Sequence, residues 1–147
     1  MKNKKAFTMI ELVFVIVIIG ILAAVAIPRL AATRDDAEIV KGRTVVASIR
    51  NAMAMERQKR ILRGNFTAIT SLGDATNVFD KFSDDGKGNT ADVLEYSMPS
   101  ASGSGRWSFA NDTYTFHQTS MGDVDFTIVA GKFQCDTARS GCQQLTN

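Results

Sequence analysis

Residues 4–28 read KKAFTMIELVFVIVIIGILAAVAIP. Two lysines lead directly into an apolar run that carries a single carboxylate, Glu11, near its start; no charge appears from Leu12 to Ile27. As a helix, Phe7 to Ile27 covers about 31 Å, the thickness of a bilayer's hydrocarbon core. An acid in such a segment costs about 2.5–3.5 kcal/mol at the membrane centre and less near the interface. The placement of Glu11 therefore demands a compensating partner. Lysines ahead of the run favour a cytoplasmic N-terminus and an exported remainder.

The chain's 147 residues, 45% of them hydrophobic, leave room for one modest domain beside this segment. Net charge is only +2, but it is unevenly spread. Lys2, Lys4 and Lys5 make a basic tip, and bases outnumber acids nine to four from Arg29 to Arg63. After Gly64 ten acids face five bases. The order is basic tip, apolar rod, basic rod, acidic head. The acidic head argues against a broad phosphate-binding surface, and Trp107, beside Arg106, reads as core rather than as a stacking platform for single-stranded DNA. No nucleic-acid partner is expected.

Beyond Pro28 the composition changes while helical character continues. Ala31, Ala32 and Ala37 are strong helix formers, and a proline inside a helix produces a kink or soft spot. Ile39, Gly42, Val46, Ile49 and Met53 recur at spacings of three and four, giving an amphipathic helix with one apolar stripe that Gly42 weakens. Gly64, after a turn containing Arg60 and Arg63, predicts a C-cap. In the remainder, a short helix is expected around Ser71–Phe82, a polar loop over Ser83–Ala91 and a short strand over Val93–Tyr96. Arg106–Ala110 and Thr113–His117 bracket Asn111-Asp112 as a hairpin. Val124–Val129 predicts a half-buried strand, and Phe133–Cys135 a short edge. The class is α+β: a long N-terminal helix packed on a small antiparallel sheet.

Cys135 and Cys142, the only cysteines, both fall in the exported part, where an even pair most simply forms one disulfide. His117 alone could join them on a metal, which completes no usual zinc pattern. His117 lies in a strand pattern, with no serine or cysteine nucleophile in an identifiable motif, so no hydrolytic constellation and no enzyme is read. Asp84, Asp85, Asn89 and Asp92 lie in an oxygen-rich loop suited in composition to calcium, but without EF-hand spacing, so it reads as a solvated turn. No cofactor is expected.

The segment Lys5-Ala6-Phe7-Thr8-Met9-Ile10-Glu11, followed by an apolar helix with Gly20 and Pro28, closely resembles the N-terminus of type IV prepilins and type II secretion pseudopilins. Ala6 stands where the family usually has glycine, and Met9 where leucine is common. The resemblance covers about the first thirty residues, and the long helix, variable loop and small sheet are similar in outline. It implies removal of Met1–Ala6 by a prepilin peptidase, methylation of the new N-terminus on Phe7, and retention of the apolar helix. The divisions are then a leader at 1–6, a transmembrane or filament-core helix at 7–28, its amphipathic half at 29–64, and a periplasmic head at 65–147.

The resemblance also implies that Glu11 pairs with the amine of a neighbouring subunit, although Phe7 and Glu11, four apart, could pair within one chain. Gly20 and Pro28 are the family's helix-weakening positions. Implied partners are membrane lipid before assembly, other pilin-like subunits and an inner-membrane assembly platform. A terminal disulfide leans toward type IV pilins; a type II secretion pseudopilin and a competence pseudopilin for DNA uptake are the alternatives. An ordinary signal peptide cut after Ala24-Val25-Ala26, on a periplasmic binding protein, is the reading from a different class. The long apolar run, the charge within it and the helix beyond it weigh against that.

Overall fold

A computed structural model describes residues 7–146. The chain divides into two compact units, residues 1–36 and 37–147. Helix α1 (Met9–Leu62) contributes to both and remains helical through Pro28. In the first unit its side chains are exposed almost throughout, Leu12, Phe14, Ile16 and Ile21 among them. By length and composition this part of α1 could cross a membrane.

The second unit is built on the other part of α1. Gly42, Val46, Ile49 and Met53 are buried, as the apolar periodicity predicts, and Glu56 and Arg60 extend the same stripe into the interior. Gly42 is what lets the helix approach its neighbours. A Cβ there would stand 2.8 Å from Phe116 Cζ and 2.9 Å from Leu145 Cδ2. The helix ends as the sequence predicts, with Gly64 at φ +70°. Its N–H donates to the Ile61 carbonyl at 2.9 Å and that of Asn65 to Arg60 at 2.8 Å, the paired bonds of a Schellman cap.

Strands β1 (Asn77–Val78) and β2 (Met98–Pro99) form a small antiparallel ladder. Strands β3 (Arg106–Ala110), β4 (Thr113–His117), β5 (Val124–Val129) and β6 (Lys132–Cys135) form an antiparallel meander in that order. The expected hairpin, strand and edge are all present. Asn111 and Asp112 take φ of 50° and 59°, and Ala130 and Gly131 take 51° and 70°. Positive φ at both central residues is the two-residue turn whose twist matches the flanking strands. One face of the sheet carries Trp107, Tyr114, Phe116, Phe126 and Phe133, all buried; Phe126 stacks on Phe133 with centroids 4.8 Å apart. Helix α2 (Ser140–Thr146) closes the described chain with Cys142 and Leu145 buried, and nothing in its composition announces it.

Two local expectations are corrected. Ser71–Phe82 is not helical. The Asp74 carboxylate accepts the N–H groups of Thr76 and Asn77, each at 2.8 Å, and holds a turn there. Phe79 sits at φ 60°, a strained conformation for a bulky side chain. Ring contacts at 5.1 Å to Trp107, 5.4 Å to Tyr114 and 5.9 Å to Phe133 hold it there. Tertiary packing overrides local propensity. Val93–Tyr96 is likewise a series of bends, the strand falling at Met98–Pro99 where β1 offers a partner.

Candidate functional site

The cleavage position Ala6, with the rest of Met1–Ala6, lies outside the described residues. Phe7 is described and 78% exposed. Thr8 precedes the first helical residue, and its Oγ1 accepts the Glu11 N–H at 3.3 Å. In return Glu11 Oε2 accepts the Thr8 N–H and Oγ1–H, both at 3.4 Å. This reciprocal arrangement is a capping box. It satisfies two of the N–H groups that a helix start leaves open, and it keeps a negative charge at the positive end of the helix dipole. The carboxylate is thus turned back toward the N-terminus and remains exposed. The Thr8-x-x-Glu11 spacing is the sequence signal for this cap.

Along the apolar part of α1, a Cβ on Gly20 would meet no atom within 4 Å. Pro28 lacks an N–H, so the Ala24 carbonyl one turn earlier loses its helical donor. One turn later Thr33 Oγ1 donates back to the carbonyls of Leu30 at 3.0 Å and Arg29 at 3.3 Å.

In the second unit, Cys135 at the end of β6 is bonded to Cys142 in α2, with Cα atoms 5.8 Å apart. The bridge fastens the terminal helix to the sheet. The acidic loop is organised around its own backbone. Asp84 Oδ1 accepts from the N–H groups of Gly86 and Gly88, and the buried Asp85 accepts from Lys87 N–H at 2.9 Å and Asn89 N–H at 3.1 Å. Asn89 Nδ2 donates to the second Asp85 oxygen at 3.2 Å. The Lys87 N–H, with the Asn89 bonds and the charge of Arg60, holds the Asp85 carboxyl below its ordinary range against the opposing effect of burial. The Asp92 backbone pairs with that of Lys81 in an isolated antiparallel β-bridge. Among the described residues no group of three or more His, Cys, Asp or Glu is placed to hold a metal ion.

His117 has an environment that sequence inspection misses. Its Nε2 lies 2.8 Å from Ser108 Oγ, and its Nδ1 lies 2.9 Å from Asp123 Oδ2. The three residues come from β3, β4 and the turn before β5, and only the Arg106–His117 register of the hairpin brings them together. The row matches the order of a nucleophile–base–acid triad. Its surroundings differ from one. The Phe109 N–H beside Ser108 already donates to Ser100 Oγ at 3.2 Å, and Asp123 is largely open to solvent. What the row does here is brace β3, β4 and the following turn.

A match to a known family falls on the same N-terminal segment. Residues 1–27 match the family described as "Prokaryotic N-terminal methylation motif". The type IV wide pilus major component PilA4 of Thermus thermophilus is 42% identical over 77 residues, covering 50% of this chain and 56% of that protein. The type IV narrow pilus major component PilA5 of the same organism is 47% identical over 51 residues, covering 35% and 44%. A fimbrial protein of Moraxella nonliquefaciens is 29% identical over 157 residues, covering 100% of this chain and 94% of that one. The chain spans about half the length of the two Thermus relatives. No solved structure matches it.

Proposed function

We propose that this chain, whose residues 1–27 match the prokaryotic N-terminal methylation motif, is a type IV prepilin and a structural subunit of a helical filament rooted in the inner membrane, a type IV pilus. A prepilin peptidase cuts between Ala6 and Phe7, and the freed amine of Phe7 is methylated. The subunit waits in the membrane with its N-terminus cytoplasmic and residues 65–147 periplasmic. Other pilin-like subunits and an assembly platform then draw it into the filament, with Gly20 and Pro28 as the yielding points of the helix. The alternatives within this family are a type II secretion or competence pseudopilus.

The observation that carries the reading is the Glu11 carboxylate, folded back over the first turn of α1 ahead of the uncharged apolar run from Leu12 to Ile27. An α-amine at Phe7, with a reference pKa of about 7.7–8.0, and a carboxylate at residue 11 would each be costly alone at the membrane edge. Across two subunits they offset each other and set the register of addition. The amine exists only after cleavage, so processing would license assembly.

Two measurements test this. The intact mass of the mature protein should show a start at Phe7 carrying one methyl group; a start after Ala26 would replace the reading with an ordinary secreted protein. Glu11→Gln keeps a capping-box side chain but removes the charge. It should leave the precursor inserted and cleaved while its incorporation into sheared surface filaments collapses. Normal incorporation would reject the charge-pairing mechanism.

A further inference from the structure

One flank of α1 in the second unit carries a hollow of 360 Å³ between the helix and the β5–β6 hairpin, lined by Arg50, Met53, Ala54, Arg57, Lys132 and Phe133 among others. Its floor is apolar, with Met53 and Phe133 buried, and three cations stand at its rim. A second hollow of 270 Å³ adjoins it through Arg57 and Gly131 and is lined in addition by Arg60. Arg60 is 1% exposed, and its Nη1 has no hydrogen-bond partner among the described residues. Among the described residues no aspartate or glutamate lines either hollow. A basic rim over an apolar floor calls for a ligand that is both acidic and apolar.

The same chain offers such a ligand on its opposite flank. Tyr96 is 80% exposed and follows the exposed Glu95. Their loop is held on one side by buried Val93 and on the other by β2. Val93, with Asp92, faces a shallow depression lined by Ala52, Met55 and Lys59 of α1. At about 100° per residue, Arg50, Ala54 and Arg57 fall on one side of the buried stripe, and Ala52, Met55 and Lys59 on the other. A contact between these two flanks cannot close on a single pair of molecules as a twofold would. It repeats from copy to copy, as an open helical assembly requires.

We propose that the basic hollow beside α1 receives the Glu95–Tyr96 loop tip of a second copy of this chain. The Tyr96 ring enters over Met53 and Phe133, and the Glu95 carboxylate meets Arg57 and its neighbouring cations. An aromatic anchor in a pocket with charge complementarity at the rim is the form that interface hot spots take. The inference rests on the filament reading and specifies one of its contacts.

The test is oxidative cross-linking of filaments sheared from cells making the full chain with Ala54→Cys and Tyr96→Cys together. A ladder of multiples of the subunit mass is expected on non-reducing gels, and neither single variant should give one. Glu95→Arg and Arg57→Glu should each lower filament yield by about tenfold, and together restore part of it. Filaments of the unaltered chain whose doubly substituted form shows no ladder overturn the inference and leave the filament reading standing. A cross-linked product containing a different protein overturns the second-copy assignment. No filaments at all from the unaltered chain overturns the reading on which the inference rests.

Discussion

Arg60 Nε donates to Glu56 Oε1 at 3.0 Å inside the second unit, with the two side chains 2% and 7% exposed. The same guanidinium donates through Nη2 to the Ser83 carbonyl at 2.5 Å, so one residue near the end of α1 fixes the start of the acidic loop. Spacing alone makes Glu56 and Arg60 an ordinary surface pair at i and i+4. Burial changes its energetics, because losing either partner leaves a charge without compensation in the interior.

Arg60→Ala and Glu56→Ala should therefore each cost about 3–5 kcal/mol, and the double variant clearly less than their sum. Chemical denaturation of the full chain in detergent micelles, followed through buried Trp107, measures this. Strict additivity would show that the pair contributes no coupling.

Gly42 predicts a cost that helix propensity alone gets wrong. Alanine there should favour the helix by about 0.8–1.0 kcal/mol. The new methyl must displace Phe116 or Leu145, and overpacking of this kind costs about 1–3 kcal/mol. Gly42→Ala should destabilise by about 1 kcal/mol in net, and Gly42→Leu should cost several times that. Thermal unfolding of both variants decides between the two effects.

Ala130 occupies a turn position at φ 51° that Asn or Gly fills with less strain. Placing a non-glycine residue in this region costs about 1–2 kcal/mol, which the asparagine side chain partly relieves. Ala130→Asn should raise the unfolding midpoint by an amount equivalent to about 0.5–1 kcal/mol. The midpoint in urea, at unchanged slope, reports it directly.

Acid should loosen the same unit. Asp85 is held below its ordinary range first by the Lys87 N–H, and Asp74 first by Asn77 and then by Thr76. A carboxyl whose folded pKa lies below its unfolded value, about 3.9, adds stability above that value. The contribution is lost as pH falls through the folded pKa. Urea midpoints should be level from neutral pH to about 5 and fall below about 4, less steeply in Asp85→Asn. An equally steep fall in Asp85→Asn would show that the loop carboxylate plays no part.

Much of this molecule was legible before its structure. The charge-free run after Glu11 reads as a membrane-length helix because lipid sets both the length and the composition of what crosses it. Asn111-Asp112 reads as a hairpin turn because few residues accept positive φ, and the alternation in Val124–Val129 follows from a sheet with one buried face. Thr8 and Glu11 held their cap in plain view, three residues apart.

Other features depend on contacts between residues far apart in the chain. Ser71–Phe82 has the composition of a helix, but Phe79 is worth more as a ring among Trp107, Tyr114 and Phe133 than as a turn of helix. Gly42 reads as a weak point in an apolar stripe until Phe116 is seen lying against it. Ser108, His117 and Asp123 meet through strand register, and Arg60 becomes an interior charge only because the Asn65–Asp85 segment folds over it. Local sequence determined the long helix, its ends and the hairpins, since backbone sterics and solvent act on neighbouring residues. Tertiary structure decided the loops, the buried charges and the hollows beside α1, because these exist only where distant segments exclude water together.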